Sequence, residues 1–515
     1  MAKRNGSNGA GLPSAGREPA ARPAEEDRIQ RRVRNRTERR SEPRAPILRL
    51  AAPALLSQAS FTLTGVIDLM MVGSISPEAI AAVGMGGTLF WNLSVLFGGP
   101  AIALLYLCGQ SWGRCDHGAF SRRAAAGLVL SVALSAGFAL FPAVVSRFLY
   151  QAMGAADDVV EQGVRYFRFR MLGFPAWMIG LAMESAVKAT GNTKAPMFIK
   201  MGSHLANIAG NYVLIFGKLG FEPMGTKGAG LSTFISELIA LIGMTILLAR
   251  VLGMNGTAPF RGQRAAGASS RAGAAESDRS PESGEENRDR GSLVPHAPIS
   301  GELSLVLREG MKVALQGFSS SFSILVYTAM ITRLGSVALA ANQIAVSIIS
   351  LSFLPATGLG QASEILISQY IGRGEPARAR NTGYRVLLYC CGLMVLFGIC
   401  IGLFPRTVGR LYTESAEVLS LLGPMLLVSA FLQILDAGQI VLSASLRATG
   451  DTGYLLWVTT AASWGLFVPL VWIITAVLGW GILWAWGARY ALMLVLALFF
   501  SVRYIRKRWE DVRPR

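Results

Sequence analysis

Charge is scarce in this sequence, and what there is lies in clumps. Asp, Glu, Lys and Arg make up only 16% of the 515 residues, where soluble globular proteins carry about 25%. Many of these charges sit in the first 46 residues and in the stretch from about 253 to 300. The remaining length has too few to cover a water-facing surface. Cysteine is also rare. Cys108, Cys115, Cys390, Cys391 and Cys400 fall mostly in apolar segments without metal-ligand spacing, so no disulfide framework is implied. The three histidines are too scattered for a metal cluster. No nucleophile–base constellation is visible, which argues against an enzyme. The chain carries a formal net charge of +18, but it lacks a basic face with interleaved aromatics, which argues against nucleic acid as a partner. The leading segment has no apolar centre, so it is not a signal peptide. Glu18, Glu25, Glu26, Asp27, Glu38 and Glu42 make it too acidic for a transit peptide.

Long apolar runs are abundant. Twelve segments of about 20 to 30 residues are each long enough to cross a bilayer core as a helix. They cover 47–72, 84–110, 122–148, 160–187, 195–217 and 228–252, then 303–332, 343–370, 381–405, 417–446, 453–477 and 480–504. Breakers lie inside some of them: Gly98-Gly99-Pro100, Pro175, and Pro355 with Gly358 and Gly360. These positions are read either as bends or as sites where small residues let helices approach closely.

The two sets of six are a duplication. Lys188-Ala-Thr-Gly-Asn-Thr-Lys194 returns as Arg447-Ala-Thr-Gly-Asp-Thr-Gly453, an offset of 259 from Gly191 to Gly450. Gln110-Ser-Trp-Gly-Arg114 returns at the same offset as Gln369-Tyr-Ile-Gly-Arg373, and Ala79-Ile-Ala-Ala82 as Ala338-Leu-Ala-Ala341. Repeats of this kind define an architecture before any local assignment does. An even number of spans per half makes the repeats parallel, related by an axis along the membrane normal.

Basic residues choose the sides. Arg114, Arg122, Arg123, Lys188, Lys194, Arg373, Arg378, Arg380, Arg385 and Arg447 mark one set of loops, while the opposite loops are poorer in cations: 73–83 has none, and Lys218, Lys227, Arg406 and Arg410 are exceptions. By the positive-inside rule both tails and both Ala-Thr-Gly loops are expected in the cytoplasm. The expected organisation is a disordered cytoplasmic tail (1–46), an amino-terminal six-helix lobe (47–252) and a disordered cytoplasmic linker (253–302). A carboxy-terminal six-helix lobe (303–504) and a basic tail (505–515) complete it.

An acid placed in hydrocarbon is expensive and is functional by default. Asp68 lies near the outer end of the first span. Asp436 lies 11 residues before Arg447, about 16 Å into the membrane at the helical rise. Neither is duplicated: at an offset of 259 their counterparts are Tyr327 and Trp177. The fifth span carries Lys200, His204, Asn207 and Asn211 on one helical face. Lys200 can snorkel to the interface. His204 is a packed imidazole or a proton acceptor, and Asn207 and Asn211 can offer oxygens to a cation. The seventh span carries Gln316, Ser320, Ser323 and Tyr327, and the tenth Gln433, Asp436 and Ser443. Gln316, Ser320, Ser323, Tyr327, Gln433 and His204 are the expected lining of a cavity between the halves, although Ser and Gln taken singly often just bond a neighbouring helix. Glu364 and Glu184 are further intramembrane acids of lower weight.

Four pieces together resemble the multidrug and toxic compound extrusion (MATE) family of bacterial type. They are Asp68-Leu-Met-Met-Val-Gly73 with Ala79-Ile-Ala-Ala-Val-Gly84; the Lys188–Lys194 phrase; Asn207-Ile-Ala-Gly-Asn-Tyr-Val-Leu-Ile-Phe-Gly217; and Gln433-Ile-Leu-Asp436 running on to Leu446-Arg-Ala-Thr-Gly-Asp451. The resemblance covers about 47–504 without the linker. It implies an all-α polytopic protein of twelve helices, two parallel six-helix repeats forming a V-shaped pair of lobes. It implies a cofactor-free antiporter in the cell (inner) membrane, working as a monomer amid lipid. Such an antiporter exports small organic, cationic or amphipathic compounds in exchange for H+ or Na+. By position, Asp68 and Asn207 resemble the family's amino-lobe cation site, with Thr233 and Asn211 beside them, and Asp436 the carboxy-lobe acid. Na+ would bind transiently at Asp68 or Asp436. Two departures remove charge from these sites: Asn211 stands where many members have Asp, and Ser320 roughly where one subgroup has Glu. The coupling ion is left open, with a slight tilt toward the proton. A lipid-linked precursor flippase is the alternative. It would be expected to line its cavity with several Arg or Lys, whereas the residues above offer acids, amides and hydroxyls.

Overall fold

In a computed structural model the chain is described over residues 45–140, 142–152, 156–254 and 299–515. The expected tail 1–46 and linker 253–302 lie, apart from their edges, outside the described residues. All regular structure among the described residues is helical. In the first half, α1 spans Ala45–Gly73, α2 Pro77–Phe97, α3 Gly99–Gly113, α4 His117–Leu140 and α5 Pro142–Ala152. It continues with α6 Asp157–Leu172, α7 Phe174–Ala189, α8 Lys194–Phe216 and α9 Gly225–Met254. In the second half, α10 spans Ile299–Thr332, α11 Ser336–Gly372, α12 Pro376–Leu403, α13 Pro405–Arg410 and α14 Ala416–Ala448. Then come α15 Thr452–Ala462, α16 Val468–Trp472 and α17 Ile482–Arg506.

Each of the twelve expected spans falls on one helix or on an interrupted one. The second begins at Pro77 rather than 84, because Ser76 caps the helix by accepting from Ala79 N at 3.2 Å and Pro77 starts it. The same span breaks at Gly98, between α2 and α3, and the fourth breaks at Gly173, between α6 and α7. In each case a proline sits at the start of the following segment. Pro355 leaves α11 unbroken. The eleventh span contains two π-helical turns, Ser463–Phe467 and Ile473–Val477, flanking α16. Ten of the described helices are long and apolar enough to cross a membrane. The two expected spans that fall short are the interrupted α6–α7 and α8, which are also rich in charged and polar groups.

The duplication is visible in the turns. Thr190 and Thr449 each return a hydroxyl hydrogen bond to a carbonyl three residues back, Val187 at 2.7 Å and Leu446 at 2.8 Å. Gly191 N and Gly450 N then bond Lys188 O at 2.9 Å and Arg447 O at 2.8 Å. Gly191 and Gly450 adopt φ +91° and +82°, a backbone region that L side chains rarely enter. Ala-Thr-Gly is therefore a helix stop used twice. Packing repeats as well: α3 lies on α7 as α11 lies on α14.

The halves meet mainly through α3, which packs against both α10 and α11. Close approach at Gly99 depends on the missing side chain, since a Cβ there would sit 2.8 Å from Ala314 N. The outer surface is apolar, as lipid contact requires: Leu388 and Phe431 are 70% and 82% exposed. The residues after α17 fold back onto the end that carries the Ala-Thr-Gly turns, with Trp509 buried.

Candidate functional site

Helix α8 is inverted relative to a soluble helix. Phe198, Leu205 and Tyr212, seven residues apart, face outward, while Asn207 and Asn211 are buried. Its polar face therefore looks into the protein, and it serves two sites in succession.

Nearer the end away from the Ala-Thr-Gly turns, Asn211 Nδ2 donates to Asp68 Oδ1 at 2.5 Å. Asn207 lies one turn earlier on α8. With its amide nitrogen facing the carboxylate, Asn207 donates to Asp68 Oδ1 at 2.9 Å and Oδ2 at 3.3 Å. Its oxygen then accepts from Thr233 N and Oγ1, both at 3.2 Å. That orientation satisfies both ends of the amide, whereas the reverse would set acceptor against acceptor. Asp68, Asn207, Asn211 and Thr233 thus come together from α1, α8 and α9. Asn211 Oδ1 is buried and has no hydrogen-bond partner among the described residues.

Toward the Ala-Thr-Gly end, the same face borders a cavity of about 350 Å³ between the halves. Phe61, Trp91 and Trp177 form aromatic wall, and His204 lies against Phe61 with ring centroids 6.0 Å apart. The rest of the lining includes paired charges. Lys188 Nζ lies 2.6 Å from Glu184, Lys200 Nζ 3.5 Å from Glu237, and Arg447 Nη1 3.4 Å from Glu364. Lys188 also crosses between the halves to Gln361 Oε1 at 3.2 Å. Arg170 connects this cluster with α2, lying 4.0 Å from Glu237 and 3.7 Å above the centre of the Phe90 ring.

Of the residues expected to line the cavity, His204 does so. Gln316, Ser320, Ser323, Tyr327 and Gln433 are not among its lining residues. Gln316 donates to Thr459 at 3.4 Å, Gln433 to Ser352 at 2.7 Å and Tyr327 to Asn342 at 2.9 Å, while Ser323 bonds back to Ser320 O at 2.8 Å. Gln316, Gln433 and Tyr327 thus join neighbouring helices, while Ser323 bonds within its own. Lys200 does not snorkel but pairs with Glu237, and Glu184 pairs with Lys188. The expectation of a cavity without Lys or Arg is corrected: Lys188, Lys200 and Arg447 all border it. Glu237 was missed, although an acid inside an apolar span carries the same signal as Asp68. Arg170, set in a charged stretch, gave no comparable signal.

Asp436 stands apart from both sites. It is 3% exposed in the second half, and its Oδ2 has no hydrogen-bond partner among the described residues. Ala437, next to it in the chain, and nearby Cys390 belong to one apolar cluster, while Arg489 and Tyr490 lie near enough to feel its charge. Among the described residues there is no group of three or more His, Cys, Asp and Glu arranged to hold a metal.

This architecture has known counterparts. The MatE family model matches residues 53–213 and 313–473, once in each half. The chain belongs to the MatE family. It is a multi-pass membrane protein, and a transporter of small molecules rather than an enzyme. It is 25% identical over 434 residues to the probable multidrug resistance protein NorM of Mannheimia succiniciproducens, covering 83% of this chain and 85% of that one. It is 26% identical over 425 residues to the multidrug resistance protein MdtK of Yersinia pseudotuberculosis serotype O:1b, covering 82% and 86%. Among solved structures it resembles a multidrug resistance MATE family transporter of the MOP superfamily in an outward-facing conformation. The TM-score is 0.74 at 20% identity, covering 91% of this chain and 97% of that one. A MOP superfamily transporter from Pyrococcus furiosus Vc1, described as having a binding pocket of reversed polarity, matches with the same score, identity and coverage.

Proposed function

We propose that this protein is a secondary antiporter that exports small organic compounds, cationic or amphipathic, in exchange for H+ or Na+. It works as a monomer in the inner membrane of a bacterium, with the Ala-Thr-Gly turns and both tails in the cytoplasm. One observation carries the proposal. A single face of α8 borders the aromatic, charge-paired cavity through Lys200 and His204 and holds Asp68 through Asn207 and Asn211. A helix shared in this way lets occupancy of one site move the other. Two amide donors aimed at one carboxylate hold it as an acceptor. A proton or sodium ion arriving on Asp68 competes with these donors for the same oxygens. Asp436 supplies a second buried acid, with Arg489 near it, and there gain or loss of charge changes which helix packing is cheapest. Each ligand shifts the balance of the two lobes only by its differential affinity for the two states.

The cavity suits a compound with an apolar body and a polar or charged end. Its aromatic wall takes the body, and its three ion pairs can each exchange partners with the charged group. The presence of Lys188, Lys200 and Arg447 favours a second reading, a flippase for lipid-linked precursors. Against it, each cation already has a carboxylate within 2.6 to 3.5 Å, which leaves little for a pyrophosphate. The deciding experiment is dye efflux from vesicles with sodium and proton gradients imposed separately. Efflux is expected under at least one gradient and is expected to be lost or uncoupled in Asp68→Asn and in Asp436→Asn. Normal pumping by both variants would refute the site assignment. If no organic cation moves under either gradient, the efflux reading falls and the flippase takes its place.

A further inference from the structure

The most repeated phrases of the sequence meet one another in the fold. Gln110 Nε2 donates to the carbonyl of Ala448 at 2.9 Å, and Gln369 Nε2 donates to the carbonyl of Ala189 at 2.8 Å. Each glutamine belongs to one half, and each carbonyl to the Ala-Thr-Gly turn of the other half. Gln110 and Gln369 are repeat partners, and so are Ala189 and Ala448, so one bond is made twice across the axis of the duplication. Both carbonyls close their helices, α7 and α14, where the last four C=O groups lack a partner within the helix. Both glutamines are buried, and Gln110 is fully enclosed.

The helices that bring them together, α3 and α11, cross on glycine. A Cβ on Gly113 would come 2.9 Å from the carbonyl carbon of Gln369, and one on Gly372 would come 3.0 Å from Gly113 Cα. Small residues at a crossing let two membrane helices touch closely with no large side chain to unlock, which suits a contact that must be broken and remade. Lys188 and Arg447, in the last turns of α7 and α14, border the cavity. The glutamine layer therefore lies between the cavity and the end that carries the turns. The backbone N of Arg515 donates to Gln110 Oε1 at 2.9 Å, which orients that amide so that its nitrogen faces Ala448.

We propose that the two reciprocal glutamine-to-carbonyl bonds, set on the Gly113–Gly372 crossing, form the gate that shuts the cavity at the turn-bearing end. Parting of this layer is then the step that opens the cavity on that side.

The test uses the full chain in lipid vesicles, with Cys115, Cys391 and Cys400 replaced by alanine and Ser57→Cys as a reporter on the cavity wall. Labelling of an Asn192→Cys variant, exposed in the first turn, identifies the turn-bearing side. Reporter labelling by a membrane-impermeant maleimide is then measured from each side. Gln110→Met and Gln369→Met keep the side-chain volume and remove the donors. Each is expected to raise the labelling rate from the turn-bearing side about fivefold, and the double variant about 25-fold. Gly113→Val, which wedges the crossing without removing a bond, is expected to raise it as well. Unchanged labelling in both single variants overturns the proposal, as does an equal rise from both sides. If the double variant does not reach the membrane, the single variants decide. Labelling needs neither substrate nor gradient, so its outcome is separate from that of the efflux reading.

Discussion

Arg123 and Glu302 form an ion pair that joins the two halves, and its removal is a sharp test of how the bundle is held. Arg123 Nε lies 3.1 Å from Glu302 Oε2, with the two side chains 4% and 9% exposed. The guanidinium also donates to Leu107 O at 2.8 Å, to Ser111 Oγ at 2.9 Å and to the main-chain oxygen of Arg515. Glu302→Ala strands a buried cation, and breaking a buried pair from one side costs about 3 to 5 kcal/mol. Leu107 O, Ser111 Oγ and the main-chain oxygen of Arg515 remain around Arg123, so the lower end applies: about 3 kcal/mol, roughly a 150-fold change in the unfolding equilibrium. The double variant Arg123→Met/Glu302→Leu removes both charges and fills the space. Leu107 O keeps the hydroxyl bond from Ser111. Its stability is expected within about 1 kcal/mol of the parent, or above it. Reversible unfolding in mixed detergent micelles, followed by tryptophan fluorescence, measures all three proteins. The reasoning is refuted if Glu302→Ala costs less than about 1 kcal/mol, or if the double variant is worse than the single one.

Two further outcomes follow from specific contacts. Asn211→Leu removes the 2.5 Å hydrogen bond to Asp68. A hydrogen bond to a charged group is worth about 1.5 to 3 kcal/mol. Amide and coupling ion compete for one oxygen, so the ion concentration for half-maximal efflux should fall about 10- to 150-fold; a rise would show that the amide serves the ion instead. Burial pushes the carboxyl of Asp451 up, but hydrogen bonds from Arg503 Nε at 3.0 Å and Lys507 Nζ at 2.8 Å outweigh it and hold the group below its ordinary value of 3.8. A depressed folded-state value means the stabilisation is complete above 3.8 and is lost as pH falls through that folded-state value. Stability measured down an acid series should therefore drop further in the parent than in Asp451→Asn, and parallel curves would contradict the assignment.

Much of this protein was legible because a bilayer imposes strict rules on sequence. Spans must be long and apolar, and a helix stop reused at a fixed offset shows as a repeated phrase. Hence the twelve spans, the duplication and the identical Thr–Gly turns could all be read in advance. Asp68, Asn207 and Asn211 were legible for a related reason. An acid in an apolar run is conspicuous, and the spacing of the two amides puts them on one face.

Pairing across elements was not legible. Periodicity shows that Gln316, Tyr327 and Gln433 face inward, but an inward polar group can border a cavity or bond the next helix, and the pattern is the same. Only the packing shows that Thr459, Asn342 and Ser352 stand opposite them. Likewise Lys188 and Arg447 stood out in sequence only as loop cations on the positive side. In the folded chain they reach back to Glu184 and Glu364 at the cavity, because a long side chain in the last turn of a helix can point either to solvent or into the bundle. The sequence by itself determined the spans, the duplicated turns, the presence of an acid in the first span and the shared face of the two amides, since each depends on residues close in the chain or on the solvent they must meet. That the amides meet the acid, 143 positions away, was decided by the packing of α1 on α8. Tertiary structure alone decided the charge-paired cavity and the reciprocal glutamine contacts, since both require groups from separate helices to come within about 3 Å, a distance at which hydrogen bonds form.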